Sequence, residues 1–360
     1  MRILFAHLYD ASFGMGGAEK VVLDLADAFH KQGHHVSVAV NAGRLSEKLE
    51  ERGISWARIY ASKLQTLKTM GCLRDEVRRF QPDLIHSHHR YTTFLADLFL
   101  KSKVPVIHTE HVLRKDKRLL FRSGDRVTAV HETVADNLKS YFHVEAEKIS
   151  TITNAVRRPE PGPKDLESVE LQMDRRPGQL WGLFIGRLEE QKGHRYLIDA
   201  AALLTQQERS RLRIALAGDG SLESLLRKRV QDLGLEDVFV FLGHTEKVAA
   251  WLTLCDFVVL SSLWEGMPLS VLEAFSAAKP VLATDIPGTR EVMAAGETGW
   301  MAPPRDAPAF AEALRKVLHE SEKLPEIGRK ALGRWEREYS FEKMIHRYRQ
   351  VYEAVIRLRR

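Results

Sequence analysis

Short apolar runs alternate with stretches of helical period from the first residues onward. Ile3-Leu4-Phe5-Ala6 is followed by an apolar stripe from Ala18 to His30, then by His35 to Val40, and later by Asp83-Leu84-Ile85-His86 and Val104-Pro105-Val106-Ile107-His108. Such alternation predicts parallel βαβ units. A last strand and turn are expected near Ile149 to Val156. Beyond them, Arg157-Arg158-Pro159-Glu160-Pro161-Gly162-Pro163-Lys164 holds too many prolines for a regular element. The interdomain linker is placed there, running on to about Gly178.

The pattern then restarts with Leu183-Phe184-Ile185-Gly186, a helix from Lys192, Leu212 to Ala217, a helix from Ser221, Val238 to Leu242, Phe257 to Ser261, a helix from Pro268, and Pro280 to Thr284. In the terminal stretch Phe341 to Leu358, residues Phe341, Met344, Ile345, Tyr348, Val351, Tyr352 and Val355 share one helical face. The expected fold is α/β: two doubly wound, Rossmann-like domains, 1–165 and 166–340, and a C-terminal helix over 341–360 that can pack on either. Ligands of such sheets bind beyond the carboxyl ends of the strands. Two domains on one linker would turn those edges toward each other across a cleft.

Composition sets limits on this picture. At 360 residues, 44% of them apolar, the chain is long enough for two separate cores. No apolar run approaches the roughly 18 residues of a spanning helix. The first strand candidate, Arg2 to Leu8, is cut off by Asp10 before it could serve as a signal-peptide core, so a cytoplasmic protein is expected. Cys72 and Cys255 have no metal-ligand spacing and read as packing thiols. The net charge of +6 is uneven, with 18 Lys and Arg against 10 Asp and Glu between Arg44 and Arg126. Within that region, Arg114-Lys115-Asp116-Lys117-Arg118-Leu119-Leu120-Phe121-Arg122 joins basic residues to an apolar patch. Such a segment suits an anionic membrane surface as well as it suits an ordinary solvated face. No nucleic-acid motif accompanies the charge, so nucleic acid is not an expected partner.

The most informative string is Glu265-Gly266-Met267-Pro268-Leu269-Ser270-Val271-Leu272-Glu273. Proline suits the first helical position, so a helix should begin near Pro268. Glu265 then lies in the loop beside unpaired backbone N–H groups, and Glu273 sits more than one turn inside, pointing back to the same end. A helix N-terminus attracts anions, so a phosphate could rest there with a hydroxyl-binding carboxylate on each side, a combination suited to a sugar nucleotide. Were both glutamates helical, they would stand roughly 12 Å apart, too far to flank one glycosidic bond.

Three other constellations matter. Gly14-Met15-Gly16-Gly17-Ala18-Glu19 comes after the first strand and leads into a helix, where glycine allows close backbone approach to a ligand or simply a tight turn. It is not Gly-x-Gly-x-x-Gly, and Val38-Ala39-Val40-Asn41 offers no ribose-binding acid, which lowers the case for a dinucleotide oxidoreductase. Gly186-Arg187-Leu188-Glu189-Glu190-Gln191-Lys192-Gly193 puts an Arg and a Lys where they can converge on a diphosphate. Histidines cluster at His86-Ser87-His88-His89 and His108-Thr109-Glu110-His111, at strand ends. Their spacing does not suit a zinc site, and they read better as sugar and acceptor contacts facing a cleft. The chain has no Asp-x-Asp, so a metal-bridged diphosphate is not indicated.

Together these strings resemble glycosyltransferase family 4, the retaining GT-B transferases, over essentially the whole chain and in the family's order. The resemblance implies that Gly16 and Gly17 approach the donor phosphate and sugar, while Arg187 and Lys192 hold the diphosphate. Glu265 would bind hydroxyls of the transferred sugar, with Gly266 and the backbone N–H groups near Met267 and Leu269 beside it, and Glu273 would bind the ribose. His111 is similar to the family's histidine near the sugar's C6 hydroxyl. One departure is Asn154-Ala155, where relatives commonly read Asn-Gly before the linker. The implied activity is retaining, metal-independent hexosyl transfer from a UDP- or GDP-sugar to a hydroxyl acceptor in cell-envelope polysaccharide, lipopolysaccharide or glycolipid synthesis. No cofactor is expected, residues 1–165 would be the acceptor side and 166–340 the nucleotide-sugar side, and the protein would sit in the cytoplasm or at the inner face of the membrane. The rivals are a nucleoside-sugar 2-epimerase and a non-catalytic nucleotide-sugar-binding protein.

Overall fold

The computed structural model describes residues 1–9, 15–60, 63–100, 103–113, 116 and 118–359. The chain divides into two compact units, one formed by Met1–Asn154 with Glu342–Arg360, the other by Ala155–Phe341.

The first unit holds a seven-stranded sheet: β1 (Arg2–His7), β2 (His35–Val40), β3 (Ser55–Arg58), β4 (Leu84–Ser87), β5 (Val106–Glu110), β6 (Arg126–Ala129) and β7 (Ile149–Thr151). Its spatial order is β3-β2-β1-β4-β5-β6-β7, and every paired strand is parallel. The central strands are buried along almost their whole length, so their apolar runs are unbroken, whereas β3 is exposed or half-buried throughout. That edge position is why Ser55-Trp56-Ala57-Arg58 carries no apolar run for a sequence reading to find. The C-terminal helix, Phe341–Arg357, buries Tyr348 and Tyr352 in this unit, with the Tyr352 ring 5.1 Å from that of Phe29.

The second unit holds six parallel strands: β8 (Leu180–Ile185), β9 (Leu212–Ala217), β10 (Phe239–Gly243), β11 (Phe257–Leu260), β12 (Val281–Thr284) and β13 (Gly299–Ala302), in the order β10-β9-β8-β11-β12-β13. The core is aromatic, with Trp181 and Trp251 rings 5.8 Å apart and Phe184, Phe257 and Phe275 fully buried. Cys255 lies in this core, where burial pushes its thiol up to about 12, while Cys72 is half-buried; neither is in a disulfide.

Two expectations need correction. The linker does not run to Gly178: Pro163–Met173 is a helix, with Pro163 in its first turn and Gly162 as N-cap. Proline is tolerated there because the N–H it lacks has no partner in a first turn anyway. The second concerns only proline's place: the helix begins near Pro268 as expected, at Leu269, but Pro268 itself is extended and serves as its N-cap.

In each sheet the strand order reverses once, between β1 and β4 and between β8 and β11. Loops leaving neighbouring strands there turn to opposite faces, which opens a crevice at the carboxyl edge.

Close approach of a helix to the turn after Ser276 fixes one glycine. A Cβ on Gly328, in the helix Leu324–Glu338, would stand 2.0 Å from the carbonyl oxygen of Ala278. Alanine is the better helix former by about 1 kcal/mol, but forcing an extra methyl against backbone typically costs about 1–3 kcal/mol. Gly328→Ala is therefore expected to lower the urea midpoint; an unchanged or raised midpoint would show that the contact yields freely.

Candidate functional site

The reversal in the second sheet brings two loops together. After β8 the chain passes through Gly186 and Arg187 into a short 3₁₀ turn, Glu190–Lys192, and after β11 through Ser261 and Ser262 to Glu265. The Leu263 N–H donates to the Gln191 carbonyl at 2.7 Å, and the Ser261 hydroxyl donates to the Lys192 carbonyl at 3.1 Å. Gly193 makes this crossing possible. Its φ is +62°, and a Cβ there would lie 2.1 Å from the Ser261 carbonyl oxygen.

Lys192 and Glu265 meet directly across the crossing. The Lys192 ammonium donates to Glu265 Oε1 at 2.6 Å, and the Ser262 hydroxyl donates to the same oxygen at 2.7 Å. The Gln191 amide approaches Oε2 at 3.4 Å. With side chains only 18% and 8% exposed, the pair is largely withdrawn from water. An unpartnered charge in such a place costs several kcal/mol, so each ion holds the other in position. The sequence assigns Lys192 and Glu265 to different parts of one ligand; in the structure they contact each other.

Arg187 lies on the loop after β8 that leads to Lys192, about one-third exposed, with its guanidinium 3.2 Å from Glu189. The loop continues into the helix Leu269–Ser276, whose eight residues are all buried. Gly266, Met267 and Leu269 form the approach to it, and among the described residues the N–H groups of Met267 and Leu269 have no backbone or side-chain acceptor. Glu273 lies inside this helix, 8% exposed. Arg187 and Lys192 thus lie on one of the two loops that meet at the reversal, and the start of this helix follows the other.

The first unit carries a second set at its own reversal point. Gly16 is the N-cap of the helix Gly17–Lys31, and its N–H donates to Glu19 Oε2 at 2.7 Å, while His7 at the end of β1 holds Oε1 at 2.8 Å. Burial alone would raise the Glu19 pKa, but the hydrogen bond and charge of His7, with the N–H groups of Glu19 and Gly16, hold it at about 2. Gly14 of the same string lies outside the described residues, as do Arg114, Lys115 and Lys117 of the basic segment.

The histidine clusters differ from expectation. His86, His88 and His108 are not contacts waiting for a ligand; they are buried and use their ring nitrogens within the unit. His86 Nδ1 lies 2.7 Å from the Tyr352 hydroxyl, and His108 Nδ1 lies 2.7 Å from the Thr93 hydroxyl. Burial of Glu110 is outweighed by His108 and by the Arg90 guanidinium at 2.6 Å, which keep that carboxyl at about 2. His111 is the partly open member, just beyond β5, with Nε2 3.0 Å from His88 Nδ1. Strand-end position alone does not separate inward from outward rings, because β4 and β5 are buried on both faces.

One functional neighbour, His194, gives no signal in the sequence. It opens the helix behind Lys192, 2% exposed, its ring 4.1 Å from Phe184, and burial followed by the Lys192 charge pushes its pKa down to about 3. A folded value far below the ordinary 6.5 means that the unfolded chain binds the extra proton. Stability is then present above about pH 6.5 and is lost as pH falls toward 3. From pH 7 to pH 5 this one group should remove roughly 2 kcal/mol. Urea titrations should show His194→Phe losing less stability than the parent over that interval, and an identical loss in both would contradict a neutral buried His194.

Comparison with known proteins places the chain in a family. The profile described as Glycosyl transferases group 1 matches residues 174–334, and that described as Glycosyltransferase Family 4 matches residues 15–158. A D-inositol 3-phosphate glycosyltransferase of Pseudarthrobacter chlorophenolicus is 28% identical, covering 88% of this chain and 85% of its own length. The N-acetyl-alpha-D-glucosaminyl L-malate synthase of Bacillus anthracis is 24% identical over 79% of this chain and 78% of its own. Among solved structures, Anabaena HepE in complex with UDP and glucose superposes with a TM-score of 0.84 at 20% identity, covering 98% of this chain and 99% of that one. Sucrose-phosphate synthase of Thermosynechococcus elongatus gives 0.81 at 18% identity, covering 99% and 100%. Two matched profiles, one over each sheet, and a shared fold across the full length show that this chain belongs to the family 4 glycosyltransferases of GT-B fold.

Proposed function

We propose that this glycosyltransferase is retaining and metal-independent, and that it takes its sugar from a nucleoside diphosphate donor, with a UDP-sugar as the first candidate. The observation that carries the reading is the contact of Lys192 with Glu265 where the two loops of the sheet reversal meet, with Arg187 on the first loop and the helix Leu269–Ser276 following the second. Negative charge grows on the leaving diphosphate as the glycosidic bond breaks, and fixed cations and N–H dipoles stabilise it without reorganising. Those groups would do the work that a bridging metal does elsewhere. UDP as the nucleotide is favoured because HepE, which shares the fold, binds UDP and UDP-glucose.

Retention would come from attack on the face that the diphosphate leaves, which demands no side-chain nucleophile. In this reading Lys192 turns from Glu265 to the diphosphate, and Glu265 is released to the sugar's hydroxyls. Glu273 meets the ribose. For Gly16 and Gly17 we propose approach to the donor phosphate and sugar, and for His111 contact with the sugar.

The acceptor is proposed to be a membrane-linked or envelope glycan. No helix among the described residues is long and apolar enough to cross a membrane. Leu64, Leu67 and Leu119 nevertheless stand 99%, 81% and 90% exposed, in segments that carry Lys68, Arg118 and Arg122. Exposed leucines beside cations suit the headgroup layer of anionic lipid.

Replacing Arg187 or Lys192 with alanine should lower kcat by about 10² to 10³, the usual effect of losing one such donor. Loss of less than tenfold in both would remove the cationic cradle from the mechanism. Proton NMR of the product should show the donor's anomeric configuration, and inversion would end the retaining reading. Sedimentation with phosphatidylglycerol vesicles should exceed that with phosphatidylcholine and fall for Leu119→Ser; equal sedimentation contradicts membrane docking.

A further inference from the structure

The two cations assigned to the diphosphate each have a carboxylate of their own. Lys192 meets Glu265, which also accepts from the Ser262 hydroxyl and is only 8% exposed. Arg187 meets Glu189, whose Oε1 lies 3.2 Å from the guanidinium and whose side chain is 27% exposed. Glu265 has a place in the donor reading as the residue that turns to the sugar. Glu189 has none.

The backbone holds Glu189 beside Arg187. Its N–H donates to the Arg187 carbonyl at 2.9 Å, and its own carbonyl accepts from the Lys192 N–H at 3.1 Å. It is the extended N-cap of the 3₁₀ turn Glu190–Lys192, and its side chain takes no part in the cap. Among the described residues its carboxylate has no hydrogen bond or ion pair except that with Arg187. A guanidinium has five N–H donors, so one carboxylate contact leaves most of them for a phosphate. A diphosphate held by Arg187 would therefore bind beside a negative charge that it does not displace.

That charge weighs differently on donor and product. In a UDP-sugar each phosphate carries one negative charge. Once the sugar has left, the second phosphate is terminal and, with a second pKa of about 6, carries about one more. A unit charge about 6–8 Å away in a partly solvated setting changes an affinity by about three- to tenfold.

We propose that Glu189 is a specificity-determining residue that separates donor from spent nucleotide: fixed beside Arg187, its carboxylate weakens the hold on the nucleoside diphosphate left after transfer more than the hold on the intact sugar nucleotide. Exchange of product for fresh donor is thereby favoured. The proposal rests on the Arg187–diphosphate contact in the reading above.

The test is isothermal titration of the full chain at pH 8 and low salt with two pairs, UDP against UDP-glucose and GDP against GDP-mannose. For the pair that binds, Glu189→Gln, close in shape but uncharged, should tighten the free diphosphate about three- to tenfold more than the sugar nucleotide. Glu189→Asp keeps the charge and should hold the ratio of the two Kd values near the parent's. In 1 M sodium chloride, where the Debye length is about 3 Å, the effect of Glu189→Gln on the ratio should largely vanish. If Glu189 only held Arg187 in its rotamer, Glu189→Gln would weaken both ligands alike; that result, or an unchanged ratio, overturns the proposal while leaving the donor reading intact. A parent that binds neither pair contradicts the donor reading itself, and the proposal falls with it.

Discussion

The constraint on which the rest depends is topological. A parallel sheet that winds both ways from its middle must send two neighbouring strands' loops to opposite faces, and the residues of those loops line the gap between them. In the second unit the two strands are β8 and β11, and their loops contribute Arg187 to Lys192 on one side and Ser261 to Glu265 on the other. Lys192 and Glu265 are far apart in sequence, yet the sheet order puts them within hydrogen-bonding distance. Nothing in either loop alone would do so.

Their ion pair shows how two opposite charges can share so dry a crevice. An ammonium and a carboxylate both poised for a ligand would each be a liability if left alone in a place so poor in water. Paired, each offsets much of what the other loses on leaving water. Glycine at 193 and the serines at 261 and 262 supply the close approach and the extra donors that keep the pair in register. The first unit obeys the same logic with different chemistry: His7 and Glu19 satisfy each other beside the glycine-rich turn, and buried histidines satisfy one another behind His111.

Much of the architecture is legible in the sequence because buried parallel strands are apolar on both faces. His35–Val40 and Leu212–Ala217 stand at the limits their apolar runs indicate, whereas the edge strand Ser55–Arg58 and the short β13 carry no comparable run. Proline misleads in both directions, a barrier by composition at Pro163 where it starts a helix, and a helix start by preference at Pro268 where it caps one. The residue types of the candidate site are visible in two strings. Their pairing is not, since it depends on strand order, and neither is the contact of Tyr352 with His86. In sequence Tyr352 is one apolar position on an amphipathic helix; only the fold sets its hydroxyl against His86.

The central claim is that the crevice between β8 and β11 holds the donor's diphosphate by exchanging the Lys192–Glu265 pair for a Lys192–phosphate contact. A crystal structure of the chain with UDP-glucose tests it most directly. The account predicts diphosphate oxygens within hydrogen-bonding distance of Lys192 Nζ and the Arg187 guanidinium, with the Glu265 carboxylate turned to the sugar. A donor bound elsewhere, with Lys192 still on Glu265, would contradict it.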